Sequence, residues 1–242
     1  MRADSVLPRL YIAAYAPELP LYAHMQPVCP RGSAQARTPA RLLAGNQAYM
    51  PLSPLGRERL RPCTMTLADF DDIHTHGRRG PSMITNISPD DTIDTSYGEA
   101  WYSVGIHPWD TENLTPGIFD RLRRLASDPR VVAIGEAGLD AQKGAGQDIQ
   151  EKIFLEQAAI AEEVAKPLII HCVGRFGRIM ELRKAFHPKQ RWVIHGFRRK
   201  PELARQLVDA GFDISIGTKY NPGVPAVVPP GRLYHETDCD RP

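Results

Sequence analysis

The sequence has few of the features that mark secreted, membrane-spanning or zinc-knuckle proteins. It has only four cysteines in 242 residues, and none forms a CxxC pair, so neither a disulfide framework nor a zinc knuckle is indicated. No apolar run approaches the roughly 18 residues that a membrane-spanning helix needs. We therefore expect reduced thiols, no membrane partner and a cytoplasmic location.

Lysine is absent from residues 1–64, although that segment is basic. It contains eight arginines and three acids, while the whole chain has a net charge of +2, so residues 65–242 are slightly acidic. A broad surface that binds duplex nucleic acid nonspecifically is therefore not indicated. The arginines are also dispersed and lack interleaved aromatic residues, which disfavours a basic arm that holds nucleic acid.

The same segment lacks helical or strand periodicity and contains nine of the 22 prolines. We predict that residues 1–64 are a Pro/Arg-rich extension that is disordered or lies upstream of the natural start at Met65. Residues 65–242 are predicted to form the folded domain, which is long enough to bury a sizeable core.

From residue 70 onwards, short runs of β-branched and aliphatic residues alternate with helical patterns, which predicts a parallel α/β sheet. The link between the first two strands is too short for a helix, and only four residues follow Asp238. We expect a TIM-type (β/α) barrel with a missing early helix and a truncated C-terminal end. Strands are predicted at 70–75, 82–87, 101–106, 131–136, 167–172, 191–196, 212–217 and 232–237, and helices at 115–127, 147–165, 175–186 and 201–210.

Histidines stand at the ends of several predicted strands. His74 and His76 alternate in DIHTH, so both rings face the same side of a strand. Two such histidines can hold one divalent ion. His171 in LIIHC and His195 in WVIHG end two further strands and suit a second ion. Each pattern alone is weak, because a lone strand-end histidine is more often structural.

Two carboxylates complete the expected site. Glu136 follows the apolar run VVAIG, and a buried ionised carboxylate needs a partner or a metal. Bridging two ions would use both of its oxygens. Asp238 either ligates the first ion or accepts a proton from the attacking water. The charge of two divalent ions exceeds that of these two carboxylates by two units. This positive surplus favours an anionic, phosphate-bearing substrate.

The roles of two further residues stay open. His107, in VGIHPWD, either binds a substrate phosphate or caps the loop that Pro108 fixes. Asp140, in GEAGLD, is expected to orient a ligand histidine through a hydrogen bond. The predicted catalytic set is thus Asp238, Glu136 and His107.

Taken in order, the motifs DIHTH, VGIHPW, VAIGEAGLD, PLIIHC, VIHGF and ETD resemble the TatD-type metal-dependent hydrolases, or TatD-related DNases, especially a compact bacterial branch. The resemblance spans residues 69–238. It implies a barrel of the metallo-dependent hydrolase kind and hydrolysis of phosphodiesters, including exonucleolytic DNA cleavage, with two divalent ions (Mg, Mn or Zn). By this resemblance, one ion is held by His74, His76, Glu136 and Asp238, and the other by Glu136, His171 and His195.

The chain departs from the family pattern after the fifth strand, where Gly174 stands at a position that is often basic and Arg175 follows. The expected function is two-metal hydrolysis of phosphodiesters at DNA ends, with DNA or another phosphodiester as substrate and no obligate protein partner. Two alternatives remain open. One is an amidohydrolase-like enzyme acting on a small ester, lactone or amide, which is disfavoured because no lysine ends a strand opposite these histidines. The other is a catalytically inactive metal-binding remnant.

Overall fold

The computed structural model describes residues 65–94, 96 and 98–239, which contain eight parallel strands in chain order. The prediction for residues 1–64 lies outside the described residues and stays a prediction. All eight predicted strands are present, within a few residues of the expected bounds. They are β1 (Asp72–Thr75), β2 (Met83–Ile87), β3 (Trp101–Val104), β4 (Val131–Asp140), β5 (Leu168–Val173), β6 (Trp192–Ile194), β7 (Asp213–Ile216) and β8 (Leu233–His235).

The sheet curls into a barrel that the segment after β8 closes. Each strand from β1 to β8 pairs in parallel with the next. On the remaining side, the backbone N–H of Asp238 donates to the carbonyl of His74, and that of His76 donates to the carbonyl of Cys239, each at 3.0 Å. This pairing closes the TIM-type barrel and fixes Asp238 beside the two histidines of β1.

Four helices cover the outside of the barrel, close to the predicted positions: α1 (Ile118–Ala126), α2 (Gln147–Glu163), α3 (Phe176–Phe186) and α4 (Pro201–Asp209). Helix α1 buries Ile118, Leu122 and Ala126, which recur every four residues and so form one apolar face. As expected, the described link between β1 and β2 contains no helix. Among the described residues, no helix is both long enough and apolar enough to cross a membrane.

Apolar side chains fill the barrel beneath the strand ends. Ile169 of β5 and Val193 of β6 belong to a small buried cluster with Ile73. His171 and His195 each follow one of these residues by two positions and therefore share its face of the strand. The alternation thus places the two imidazoles next to this buried apolar cluster.

Strand β4 is longer than the sequence predicted, because it continues past Glu136 to Asp140. Gly138 makes the extension possible: its φ is +157°, and a Cβ there would lie 1.9 Å from the carbonyl oxygen of His171. Only glycine lets the two backbones approach so closely. The extension pairs Asp140 with Val173 of β5 and so brings a second β4 carboxylate to the site.

Candidate metal centre

The predicted site residues meet at the carboxyl ends of β1, β4, β5 and β6 and in the segment after β8. Four of them, Glu136, His171, His195 and Asp238, line an open pocket of about 410 Å³. The residues that line it include Trp109, Glu136, His171, Cys172, Phe176, His195, Phe197, Arg198, Arg199 and Asp238. Residues from distant parts of the sequence thus share one cavity, as the strand-end pattern predicted.

Glu136 is the hub of this cluster, and its side chain is only 1% exposed. Its Oε1 lies 2.7 Å from His171 Nδ1 and 2.8 Å from His195 Nε2. Its Oε2 lies 3.3 Å from His74 Nε2 and 3.6 Å from His76 Nε2. Each oxygen of the carboxylate therefore faces a different set of histidines, and the set at Oε1 also includes His107 at 3.0 Å.

The Oε2 half of the cluster is completed by Asp238. Its Oδ1 lies 3.8 Å from the Nε2 atoms of both His74 and His76. The two ring nitrogens of His74 and the Nε2 of His76 are buried and have no hydrogen-bond partner among the described residues. Buried polar atoms are seldom left unsatisfied, and a divalent ion that accepts the lone pairs of the two Nε2 atoms would satisfy those two.

The Oε1 half contains His171, whose ring lies between two carboxylates. Its Nε2 is 3.1 Å from Asp140 Oδ2, and its Nδ1 is 2.7 Å from Glu136 Oε1. A neutral ring that donates from Nε2 to Asp140 turns the Nδ1 lone pair towards Glu136. A divalent ion would accept the lone pairs of both Nδ1 and Oε1, and His107 Nε2 lies near the same two atoms, at 3.2 Å and 3.0 Å.

Glu236 is a member of the cluster that the sequence analysis missed. It is 5% exposed, its Oε1 lies 3.4 Å from His195 Nδ1, and the same oxygen accepts a hydrogen bond from the Gly196 N–H at 2.5 Å. His195 is thereby held with Nδ1 towards Glu236 and Nε2 towards Glu136. A signal was present in the sequence, since residues 236 and 238 share a face when the chain is extended.

His107 makes the loop-capping contact that was one of its two expected roles. Its Nδ1 accepts a hydrogen bond from the Trp109 N–H at 3.0 Å. A neutral ring must then carry its proton on Nε2, which lies 3.0 Å from Glu136 Oε1. His107 is therefore a donor to the hub carboxylate, and this tautomer does not make it a metal ligand.

Burial and the surrounding histidines act in opposite directions on the pKa values of this cluster. Burial alone would raise the pKa of Glu136, but the charge of His195 and hydrogen bonds from His107, His171 and His195 bring it well below its usual range. Burial would lower the pKa of His195, but Glu136 and Glu236 raise it well above its usual value. The hub carboxylate is therefore ionised, which is the form that ligates a metal.

The spacing of the candidate ligand atoms fits a metal centre. Ligands about 2.0–2.1 Å from a tetrahedral zinc ion lie about 3.3 Å apart, and the edges of an octahedral site are slightly shorter. The distances from the Glu136 oxygens to the four candidate ligand histidines are 2.7–3.6 Å and span these values. Groups of three that could hold an ion include His74, His76 and Asp238, and also His74, Glu136 and His195. The donor set of imidazole and carboxylate suits zinc, manganese and similar ions.

The structure accounts for glycine at position 174. Gly174 has a φ of +68°, and a Cβ there would lie 3.0 Å from the Cβ of Ala141, so any larger residue would be strained. The neighbouring Arg175 does not line the pocket.

Replacing Asp140 by Asn should weaken metal binding about 10- to 100-fold, the usual cost of losing a carboxylate that orients a ligand histidine. Asp140 Oδ2 also accepts a hydrogen bond from Trp109 Nε1 at 2.7 Å. An amide NH₂ in that place would oppose the donors of Trp109 and His171, which forces the wrong His171 tautomer. Metal affinity measured by calorimetry checks this, with the exposed Asp148→Asn of α2 as control. Equal affinity in both variants would contradict the orienting role.

A profile of the family described as TatD related DNase matches residues 87–240. A relative from Klebsiella pneumoniae (strain 342), named 3'-5' ssDNA/RNA exonuclease TatD, is 33% identical over 154 residues, or 59% of this chain and 58% of the relative. A protein from Bacillus subtilis (strain 168), named uncharacterized metal-dependent hydrolase YabD, is 31% identical over 152 residues, or 59% of this chain and 60% of that protein.

The solved structures that resemble this chain have the same fold. YjjV, a TatD homologue from Escherichia coli K12, superimposes with a TM-score of 0.57 at 22% identity, covering 72% of this chain and 80% of that one. A TatD family hydrolase from Entamoeba histolytica gives a TM-score of 0.51 at 26% identity, covering 57% and 50%. The chain spans less than two thirds of the length of the curated relatives it matches. Because the profile covers more than half of the sequence, the chain belongs to the TatD related DNase family.

Proposed function

We propose that this protein is a divalent-metal-dependent phosphodiesterase that cleaves DNA from an end by a two-metal mechanism. The observation that carries the proposal is the Glu136 carboxylate, whose two oxygens face two separate sets of histidines. Such an arrangement suits a carboxylate that bridges two ions. The names of the exonuclease relatives support a nucleic acid strand as the substrate.

The proposed ligands divide between the two oxygens of the hub. His74, His76 and Asp238, with Oε2 of Glu136, would hold one ion. His171 and His195, with Oε1 of Glu136, would hold the other. When bound, a pair of such ions generates a nucleophile from water at neutral pH and neutralises charge on the attacking and leaving oxygens. Asp140 and Glu236 keep His171 and His195 in the tautomers that ligation needs.

Asp238 is the residue best placed to accept a proton in this reaction. Its side chain is 24% exposed, whereas that of Glu136 is 1% exposed and that of Glu236 is fully buried. Asp238 also lines the pocket, so a water molecule can approach it. His107, with its proton on Nε2, would hold the hub carboxylate in place or, when that hydrogen bond is broken, donate the same proton to a substrate phosphate.

A hydrolysis assay on end-labelled single-stranded DNA tests the proposal directly. The protein is stripped of metal, reloaded with Mg, Mn or Zn, and compared with the stripped sample. We expect a metal-dependent ladder of products that shortens from one end. Protein that holds its ions but leaves both DNA and RNA strands intact would overturn the phosphodiesterase assignment.

The amidohydrolase-like alternative has less support from the site. That chemistry usually bridges its metals through a modified lysine, but no lysine lines the described pocket. Glu136 occupies the position between the two sets of histidines. Hydrolysis of small esters, lactones or amides at rates above those on a nucleic acid strand would favour this alternative.

Thermal unfolding distinguishes an enzyme from an inactive remnant. Ligand at a hundredfold excess over its dissociation constant stabilises the folded state by about 2.7 kcal/mol for each site. For a domain of this size with both sites filled, we therefore expect such an excess of metal to raise the Tm of the stripped protein by about 10–20 °C. The measurement is a melting curve with and without metal, with Ca²⁺ as a control for general ionic effects. Absence of a cooperative transition in either sample would indicate a remnant.

A further inference from the structure

The metal cluster contains more negative charge than the sequence indicated. Besides Glu136 and Asp238, the structure places Asp140 3.1 Å from His171 and Glu236 3.4 Å from His195. Four carboxylates offset the charge of two divalent ions completely. The ions therefore leave no surplus positive charge to attract an anionic substrate, so the attraction must come from other residues.

Two consecutive arginines supply positive charge at this pocket. Arg198 and Arg199 lie in the loop between β6 and α4, and within the described chain they are the cationic side chains that line the cavity. Both residues are exposed, so binding an anion would not require moving a buried charge. Guanidinium groups can bind phosphate oxygens with two parallel hydrogen bonds, a geometry that lysine lacks.

Arg198 is directed towards the candidate proton acceptor. Its guanidinium NH2 atom lies 3.7 Å from Asp238 Oδ2, and its side chain is 57% exposed. This separation is too long for a strong hydrogen bond, and an exposed pair of this kind contributes little stability. A phosphate entering beside Asp238 could therefore recruit Arg198 at small cost.

Arg199 follows Arg198 directly and lines the same pocket. The lining that it shares with Arg198 also includes Asp238 and Cys172 of β5. Two exposed guanidinium groups therefore border one cavity.

We propose that Arg198 and Arg199 form a two-pronged phosphate clamp for a nucleic acid strand. In this clamp Arg198 binds the phosphate that is cleaved, and Arg199 binds the adjacent phosphate of the same strand. The assignment rests on the proposed phosphodiesterase function. It narrows the substrate class to strands with at least two neighbouring phosphates, in preference to isolated diesters.

The clamp is tested with Arg198→Gln, Arg198→Lys and Arg199→Gln, and with Arg205→Gln as a matched control. Arg205 is an exposed residue of α4 that does not line the pocket. Each variant is loaded with metal and assayed on bis(p-nitrophenyl) phosphate, which has one phosphodiester, and on a short single-stranded DNA. Binding is measured separately by fluorescence anisotropy with a phosphorothioate strand, which resists hydrolysis.

We expect Arg198→Gln to lower kcat/KM on both substrates about 10- to 100-fold, the range for losing a hydrogen bond to a charged group. Arg198→Lys should recover only part of this loss, since it restores charge without the paired geometry. Arg199→Gln should reduce kcat/KM more on the strand than on the single diester. It should also reduce the slope of log affinity against log salt by about 0.7, the effect of one phosphate contact on a single strand.

The hydrolysis assay and the binding assay together distinguish a failure of the proposed clamp from a failure of the proposed function. Wild-type protein that cleaves the strand, with Arg198→Gln and Arg199→Gln indistinguishable from Arg205→Gln, would overturn the clamp and leave the function intact. Wild-type protein that binds the strand with the expected salt effect but cleaves neither substrate would support the clamp and overturn the function. Failure of the wild type to bind the strand at all would overturn the clamp.

Discussion

Glu136→Gln should reduce the metal content from two ions per chain to one or none and abolish hydrolysis. Both oxygens of Glu136 face candidate ligands, with Oε1 2.7 Å from His171 and Oε2 3.3 Å from His74. An amide offers one oxygen and an uncharged NH₂ group, so one half of the cluster loses its anionic ligand. The NH₂ group would also direct protons at ring nitrogens whose lone pairs ligation requires.

The measurement is elemental analysis of purified protein together with single-turnover hydrolysis of labelled DNA. Glu202→Gln makes the same chemical change at an exposed position in the first turn of α4, and we expect it to keep the wild-type metal content and rate. Circular dichroism shows whether the variants remain folded. Two ions per chain in Glu136→Gln would exclude the bridging role.

The positions of the five candidate ligands on the strands could be predicted from local sequence because parallel strands impose their geometry. A histidine or glutamate that ends an apolar run is expected near the carboxyl end of its strand, and a closed barrel brings those ends together. The four histidines follow this rule, namely His74, His76, His171 and His195. Glu136 also ends its apolar run and joins them, although β4 continues past it to Asp140. Their convergence required no knowledge of side-chain packing.

Other members of the site depend on contacts that the sequence does not display. Strand β4 was expected to end at Glu136, but Gly138 lets it run alongside β5 as far as Asp140. Strand β8 was expected to reach residue 237 but ends at His235, and Glu236 beyond it lies against His195. Arg198 reaches the pocket because of the path of a loop, and no periodic pattern specifies that path.

The positions of Asp140 and Glu236 beside the histidines change the expected charge of the site. Counting only Glu136 and Asp238 predicted a surplus of two positive charges on a two-metal site. Asp140 and Glu236 remove that surplus, although the two-metal proposal itself is unaffected. An anionic substrate is then favoured by the arginines at the pocket mouth, and strand binding should weaken with salt as expected for phosphate contacts.

Asp238→Asn should separate the chemical step from substrate binding. The backbone at Asp238 has a φ of +46°, a left-handed conformation that asparagine tolerates better than most residues. The substitution therefore keeps the hydrogen bond from the Asp238 N–H to His74 that closes the barrel. The amide cannot accept a proton from the attacking water, so turnover should fall at least about a hundredfold, as for the loss of a positioned base.

The affinity for the DNA strand should fall much less than turnover, because the arginines and the remaining candidate ligands are unchanged. Removing the carboxylate that faces Arg198 at 3.7 Å also leaves that guanidinium available to phosphate. Single-turnover hydrolysis, anisotropy with the phosphorothioate strand and metal content are measured on the same sample. Asp209→Asn, an exposed change at the end of α4, is the control. Near-normal turnover in Asp238→Asn with full metal content would remove Asp238 from the chemistry, and the proton would then need another acceptor in the pocket.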